Sequence, residues 1–427
     1  MDDNVLGGML VRHLFLIMLM LGATSAQAFE LIPPDQAGFL PERLQRVDQV
    51  FEEAVDKGQV AGGVVLITRH GQMAYHKTFG LADIASKKPM EHNAIFRIAS
   101  MTKAVTTVAV MQLHEQGRFQ LYDPVSKYIP EFKNPTVATF DETGTLIDTK
   151  PADKEITINH LLSHTSGISY PFIPSPLQTI YVNAGVIDGL TEKPVRLEEQ
   201  MKLLAKQPLL FNPGERFHYG LNTDLLGYLI EVVSGKSLAD YFEDKIFSPL
   251  NMHDTGFYLD DSREDRLVTL YAEVDGKLVV SDGTEADIKL DNPRYPAEGT
   301  KTYYSGGAGL SSTAMDYARF LQMLLNDGRL DGRRLLSRKS VEFMRTPWVD
   351  WDNDEQPDFG AGFQVTDNVG RAAQLGTPGT YAWGGAFNTT YMIDPEEELV
   401  ALFMTQVRPY TNDLRGLFKT AVYQALE

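Results

Sequence analysis

The sequence predicts a mixed α/β (α+β) protein: an antiparallel sheet flanked by helices, with a helical domain inserted into it and the active site in the cleft between them. Three observations predict this. Strand-patterned runs rich in Val, Ile and Leu lie near both ends of the chain. The long middle mixes helical periodicity with polar, proline-containing stretches. A hydrophobic content of 43% over 427 residues suffices for a large core in more than one lobe. Strands from both ends share one sheet when the middle is an insertion, and such a junction is where ligands tend to bind. The division that follows is 1–28 a leader, 29–98 with 302–427 the α/β domain, and 99–301 the helical domain with loops.

At the N-terminus, Arg12 and His13 precede the apolar run Leu14 to Leu21, and mostly small residues follow from Gly22 to Ala28. This is the order of regions in a secretory signal peptide, with cleavage after Ala28, and the run is shorter than the roughly 20 residues a bilayer requires. Asp2 and Asp3 do not suit a basic start, which makes Met9 an alternative first residue. The protein is therefore expected to be exported, periplasmic or secreted, with no membrane span once the leader is removed.

Pro41 to Lys57 carries Leu44, Val47, Val50, Phe51, Ala54 and Val55 at helical spacing, with Gly58 just beyond. Gly63 to Arg69 and Gln72 to Phe79, separated by His70-Gly71, predict an antiparallel hairpin. Helices are expected at Ser100 to Gln116, Leu221 to Val233 and Ala314 to Asn326. Asn134 to Glu155 and Leu259 to Lys301 read as loops decorating the cleft. Thr389 to Ile393, a turn at Asp394 to Glu397, and Leu399 to Met404 form a second strand pair before a terminal helix, Leu414 to Ala425.

Composition narrows the chemistry. The formal net charge of -18, from 57 acidic and 39 basic residues, repels phosphate backbones and argues against a nucleic-acid partner. The absence of cysteine removes disulfides, thiolate catalysis and Cys-ligated zinc.

Three short segments carry the remaining signal. Ser100 is the only serine with a lysine three residues later, Lys103, and it opens a helix, so hydroxyl and ammonium share a face. A serine hydroxyl is a poor nucleophile until a base takes its proton, and a lysine amine in a dry cleft can assist. Pro213 to His218 is a turn-rich approach that puts Tyr219 at the mouth of a helix, where its phenol suits a general base. Tyr381-Ala382-Trp383-Gly384-Gly385-Ala386 precedes a strand. The paired glycines allow close backbone approach, so Ala386 can offer an N–H beside that of Ser100 as an oxyanion hole. Singly, each has a plain structural explanation: a capping serine, a buried tyrosine, a glycine bulge. Their order and context decide.

Together with Phe96-Arg97-Ile98-Ala99, Tyr122-Asp123-Pro124-Val125, Tyr128 to Phe132, Ile156 to Gly167 and Gly306 to Leu310, these segments resemble the class C β-lactamase and penicillin-binding-protein superfamily. The likeness is closest to the family VIII carboxylesterases and runs over essentially the whole mature chain. It implies a β-lactamase/transpeptidase-like fold, Ser100 as nucleophile, Lys103 and Tyr219 as proton-handling partners, and an oxyanion hole from the N–H groups of Ser100 and Ala386. Trp383, Gly384 and Gly385 would line the substrate, with no metal or cofactor. Two departures point to the esterase branch. Tyr219-Gly220-Leu221 replaces Tyr-x-Asn, leaving Asn222 one place late, and Trp383-Gly384-Gly385 replaces Lys-Thr-Gly, so the motif's cation is missing.

His160 and His164, four apart beside Leu161 and Leu162, fit a packed helix end better than a Ser-His-Asp triad. No Gly-x-Ser-x-Gly elbow is present, which counts against an α/β-hydrolase. The expected activity is hydrolysis of short-chain carboxylic esters through an acyl-enzyme on Ser100, with weak β-lactam hydrolysis. The alternatives are a class C-like β-lactamase or D-alanyl-D-alanine peptidase and, from another class, a non-catalytic cell-wall-binding protein.

Overall fold

A computed structural model describes residues 29–283, 294–349 and 358–427. The expected signal peptide, 1–28, lies outside them, as does part of the 259–301 stretch. Among the described residues the main sheet has eight strands: β1 (Gly62–Arg69), β2 (Gln72–Asp83), β3 (Lys88–Pro89), β4 (Asp358–Phe359), β5 (Gln364–Val365), β6 (Tyr381–Gly385), β7 (Thr389–Asp394) and β8 (Leu399–Met404). Their order is β4-β5-β6-β7-β8-β1-β2-β3, and every neighbouring pair is antiparallel. The two ends of the chain meet where β1 pairs with β8, Val64 opposite Met404.

These central strands are continuous apolar runs because both faces of the sheet are covered, and successive side chains alternate between two cores. Val65, Ile67, Ala401 and Phe403 face α1 (Pro41–Asp56) and the terminal helix, whereas Val64, Leu66, Leu402 and Met404 face the larger core. Phe51 of α1 lies 5.2 Å from the rings of both Phe79 and Phe403 and 5.9 Å from Phe418, tying helix to sheet. Full burial of one such aromatic contributes about 1.5–3 kcal/mol.

Helix α2 (Thr102–Glu115) is buried on every side from Thr102 to Leu113, as a helix at the centre of a core must be. It packs against α3 (Asn222–Ser234) in the helical part of the chain, while α4 (Ala314–Leu325) packs on β1 and β8. The terminal helix, α5 (Leu414–Tyr423), lies beside α1. No helix among the described residues is long and apolar enough to cross a membrane.

Two stretches read as cleft loops contain hairpins instead. Thr136–Phe140 pairs with Leu146–Pro151, and Tyr271–Val274 pairs with Lys277–Val280. In the first, Asp141 Oδ1 accepts from the amides of Thr143 and Thr145, both at 2.9 Å, and closes the turn. In the second, Asp275 and Gly276 both have positive φ, 49° and 73°, the conformation that an Asp-Gly hairpin turn requires. Neither hairpin lines the cleft. The first is anchored to Leu209, and the second bridges through Tyr271 to Val407 on the sheet side.

Candidate active site

The chain enters the site through Phe96–Arg97, paired with Ser311–Ser312, and then turns sharply. Ala99 has φ 42°, a left-handed conformation that costs a non-glycine residue about 1–3 kcal/mol and persists only where its surroundings impose it. Here Ile98 N donates to Leu310 O at 3.0 Å, and Tyr317 OH donates to Met101 O at 2.8 Å. The helix expected from Ser100 therefore begins as a short 3-10 turn, Ala99–Met101, and becomes α-helical at Thr102. This turn carries Ser100 to the wall of the cleft.

Lys103 follows one turn later and is only 1% exposed. An ammonium has three donors. Its Nζ lies 2.7 Å from Gly307 O, 3.1 Å from Tyr170 OH and 3.3 Å from Ser100 Oγ, and sits 4.6 Å from the centre of the Tyr219 ring. Gly307 is held along α2 by its neighbours: Thr106 Oγ1 donates to Gly306 O at 2.7 Å and Leu310 N donates to Thr102 Oγ1 at 3.0 Å. Burial pushes the Tyr170 hydroxyl well above the usual tyrosine range, so it remains a neutral partner of the ammonium. Below them, Asp224 is fully buried. Burial pushes its carboxyl up to about 6, against the opposing pull of Ser305 Oγ at 2.6 Å and of the Lys103 charge.

Tyr219 and Ser100 share a hydrogen bond of 2.9 Å between their hydroxyls. The Tyr219 ring is wedged among His164, Tyr170 and Trp383, with centroids 4.8, 5.4 and 5.7 Å away. His164 is thus the backing of the tyrosine. Its Nδ1 meets Asn222 Nδ2 at 2.9 Å, and burial, reinforced by Lys103 and His218, holds its pKa well below the usual histidine range. Asn222 is committed to His164 and Ser166 within the core, so its amide does not line the cleft. His160 caps its own helix through Thr157, Nδ1 accepting from Thr157 N at 3.1 Å.

The opposite wall is β6. Strand β5 covers only Tyr381 and Ala382, so from Trp383 onward the outer edge of β6 runs along the cleft. The glycines are needed for close approach. A Cβ on Gly385 would stand 2.3 Å from Ile98 O, and one on Gly384 would stand 2.7 Å from the Arg415 guanidinium. Strand and nucleophile turn therefore touch backbone to backbone. Ser100 and Ala386 both line the cavity, from its two facing walls.

The cavity has a volume of about 520 Å3. Ser100, Tyr170, Phe172, Tyr219 and Trp383 form one part of its lining, and Arg408, Arg415 and Lys419 contribute positive charge to the rest. Trp383 does remove the charge from the strand motif, but other cations enter from α5 and from the segment before it. Tyr170, Asp224, Gly307 and Arg415 were also not foreseen. Gly307 lies in a segment that carried the family likeness without a role, and the others had no local pattern to mark them.

A serine hydroxyl set between a lysine amine and a tyrosine hydroxyl, on a helix that faces the edge of an antiparallel sheet, defines a serine hydrolase of the β-lactamase/transpeptidase fold. Comparison with known proteins agrees. The chain belongs to the Beta-lactamase family, whose model matches residues 47–423. It is 30% identical over 380 residues to Esterase EstB of Burkholderia gladioli, covering 84% of this chain and 89% of that protein. Its structure superposes on EstCE1, described as a hydrolase with promiscuous acyltransferase activity, with a TM-score of 0.78 and 31% identity over 90% of this chain and 99% of that one. Unliganded, selenomethionyl simvastatin synthase LovD of Aspergillus terreus gives a TM-score of 0.74 at 25% identity, over 89% and 98%. These relatives agree with the resemblance to family VIII carboxylesterases.

Proposed function

We propose that the protein is a carboxylesterase that cleaves short-chain esters through an acyl-enzyme on Ser100. The observation that carries this reading is the placement of Ser100 Oγ 2.9 Å from Tyr219 OH and 3.3 Å from Lys103 Nζ on an aromatic-walled cavity. Tyr219, acting as a phenolate steadied by the Lys103 ammonium over its ring, takes the Ser100 proton and becomes the phenol as the oxygen attacks the ester carbonyl. The carbonyl electrons move onto oxygen, which faces the amides of Ser100 and Ala386. Collapse expels the alkoxide, and the stored proton converts it to the alcohol. A water deprotonated by the same pair then cleaves the acyl-enzyme. The esterase and hydrolase relatives support the same reaction class.

Trp383 offers a flat apolar surface to an acyl or alkyl group, and a neutral ester loses nothing by the missing motif cation. A β-lactam brings a carboxylate, and Arg415, the cation beside the motif, is already engaged with Gly385 O and Thr389 O. The ester is therefore the better substrate and β-lactam hydrolysis is weak. The test is kcat/KM for p-nitrophenyl butyrate and for a chromogenic cephalosporin on one preparation. A cephalosporin that equals or exceeds the ester overturns the esterase reading in favour of a β-lactamase.

We propose further that the protein is exported, with Phe29 as the first mature residue, supported by the order of regions in residues 1–28. N-terminal sequencing of periplasmic or secreted material is expected to begin at Phe29. Retention of Leu14 to Leu21 contradicts it.

A further inference from the structure

We infer that Arg415 is a positioning residue for the oxyanion hole. The inference rests on the reading above, in which the N–H of Ala386 receives the developing negative charge. Arg415 projects from the first turn of α5, and its Nη2 donates to Gly385 O at 2.8 Å and to Thr389 O at 3.1 Å. The Gly385 carbonyl and the Ala386 N–H are the two ends of one planar peptide unit, so a bond that fixes the first fixes the direction of the second. A cationic donor on the carbonyl also polarises the unit and makes its N–H a stronger donor.

The surroundings are shaped for this contact. Gly384 has no side chain where the guanidinium lies, and a Cβ there would fall 2.7 Å from Arg415 Cζ. The Tyr410 ring stands 5.9 Å from the same carbon, and Asp413 caps the helix that carries the arginine by accepting from Gly416 N at 3.1 Å. The second acceptor, Thr389 O, lies at the start of β7, so one guanidinium ties together both ends of the turn that presents Ala386.

The test uses the full chain with Arg415→Met, which keeps bulk and removes both bonds, and Arg415→Lys, which keeps a cationic donor group without the planar fork. Each is measured for kcat and KM with p-nitrophenyl butyrate, for affinity toward an alkyl boronic acid whose tetrahedral Ser100 adduct occupies the oxyanion hole, and for thermal midpoint. Arg415→Met is expected to lower kcat on the order of 10- to 100-fold with KM within about twofold, less than the loss of a whole oxyanion donor. Boronate affinity should fall by the same factor, and Arg415→Lys should recover part of both. Should Arg415→Met not fold, Arg415→Lys alone must still show the parallel loss. Unchanged kcat in the folded variants, a loss confined to KM, or a fall in kcat without weaker boronate binding overturns the inference. Labelling of Ser100 by a fluorophosphonate separates the two levels. Labelled Ser100 with unimpaired Arg415 variants refutes this inference alone, whereas unlabelled Ser100 refutes the esterase reading beneath it.

Discussion

The two walls of the cleft are built in opposite ways. On the nucleophile wall the proton-handling atoms belong to side chains held by others: Lys103 spends its donors on Gly307, Tyr170 and Ser100, and Tyr219 is backed by His164. The strand wall is backbone, and it fits because two side chains are absent, at Gly384 and Gly385. Side-chain chemistry leaves a spaced motif in a sequence. Backbone chemistry leaves only glycines, whose meaning depends on what stands opposite.

If the contrast is right, the largest effects fall on the first wall. Ser100→Ala, Lys103→Ala and Tyr219→Phe should each lower kcat/KM by on the order of 10^3-fold or more, and a double variant should lose little beyond the worse single one, because the groups act as a unit. Circular dichroism should show each fold intact. Near-normal turnover in folded Ser100→Ala would remove the first wall from the mechanism.

Smaller, and graded, effects are expected on the strand wall. Gly385→Ala drives a methyl into the Ile98 carbonyl, backbone that cannot yield, and should cost about 1–3 kcal/mol of stability as well as activity. Gly384→Ala meets the tip of a flexible arginine and should cost less stability. Thermal midpoints and kcat/KM for the pair decide it, and a reversed order would mean that the Ile98 contact does not set the geometry.

The effect furthest from the chemistry is a pH slope beneath the first wall. The folded pKa of Asp224, about 6, is above its ordinary value of 3.8, so the fold favours the protonated carboxyl. That contribution is fully present below pH 3.8 and is lost as pH rises through about 6. Asp224→Asn should therefore flatten the fall in stability over that window, by up to about 3 kcal/mol at 1.36 kcal/mol per pKa unit. Urea midpoints across the window, wild type against variant, measure it. Parallel curves would show that Asp224 does not titrate there.

The same contrast explains what the sequence disclosed. Strands β1, β2, β7 and β8 were legible as short runs rich in apolar and β-branched residues bounded by turns, and helices α1 to α5 as longer apolar-rich stretches. The hairpin at Thr136–Phe140 and Leu146–Pro151 was not, since its second strand is exposed at every residue and has no buried face to write a pattern. The other hairpin did carry a signal, Asp275-Gly276, which the polar surroundings obscured. In the site, Ser100, Lys103 and Tyr219 were marked by spacing and family likeness. Tyr170, Asp224 and Arg415 reach the same place from distant segments, where they meet Lys103, Ser305 and Gly385.

The pairing of β1 with β8 has a consequence for the order in which the molecule comes into being. During synthesis Ser100 and Lys103 emerge early, while Ala386 and the strand that completes the middle of the sheet emerge near the end. Contacts this remote in sequence form slowly, and a partial chain cannot substitute for them. A nascent or prematurely terminated chain therefore carries Ser100 without the wall that the proposed mechanism requires. Hydrolytic power arrives with the final strands, after the chain has passed the point at which an unguarded serine could act on its surroundings.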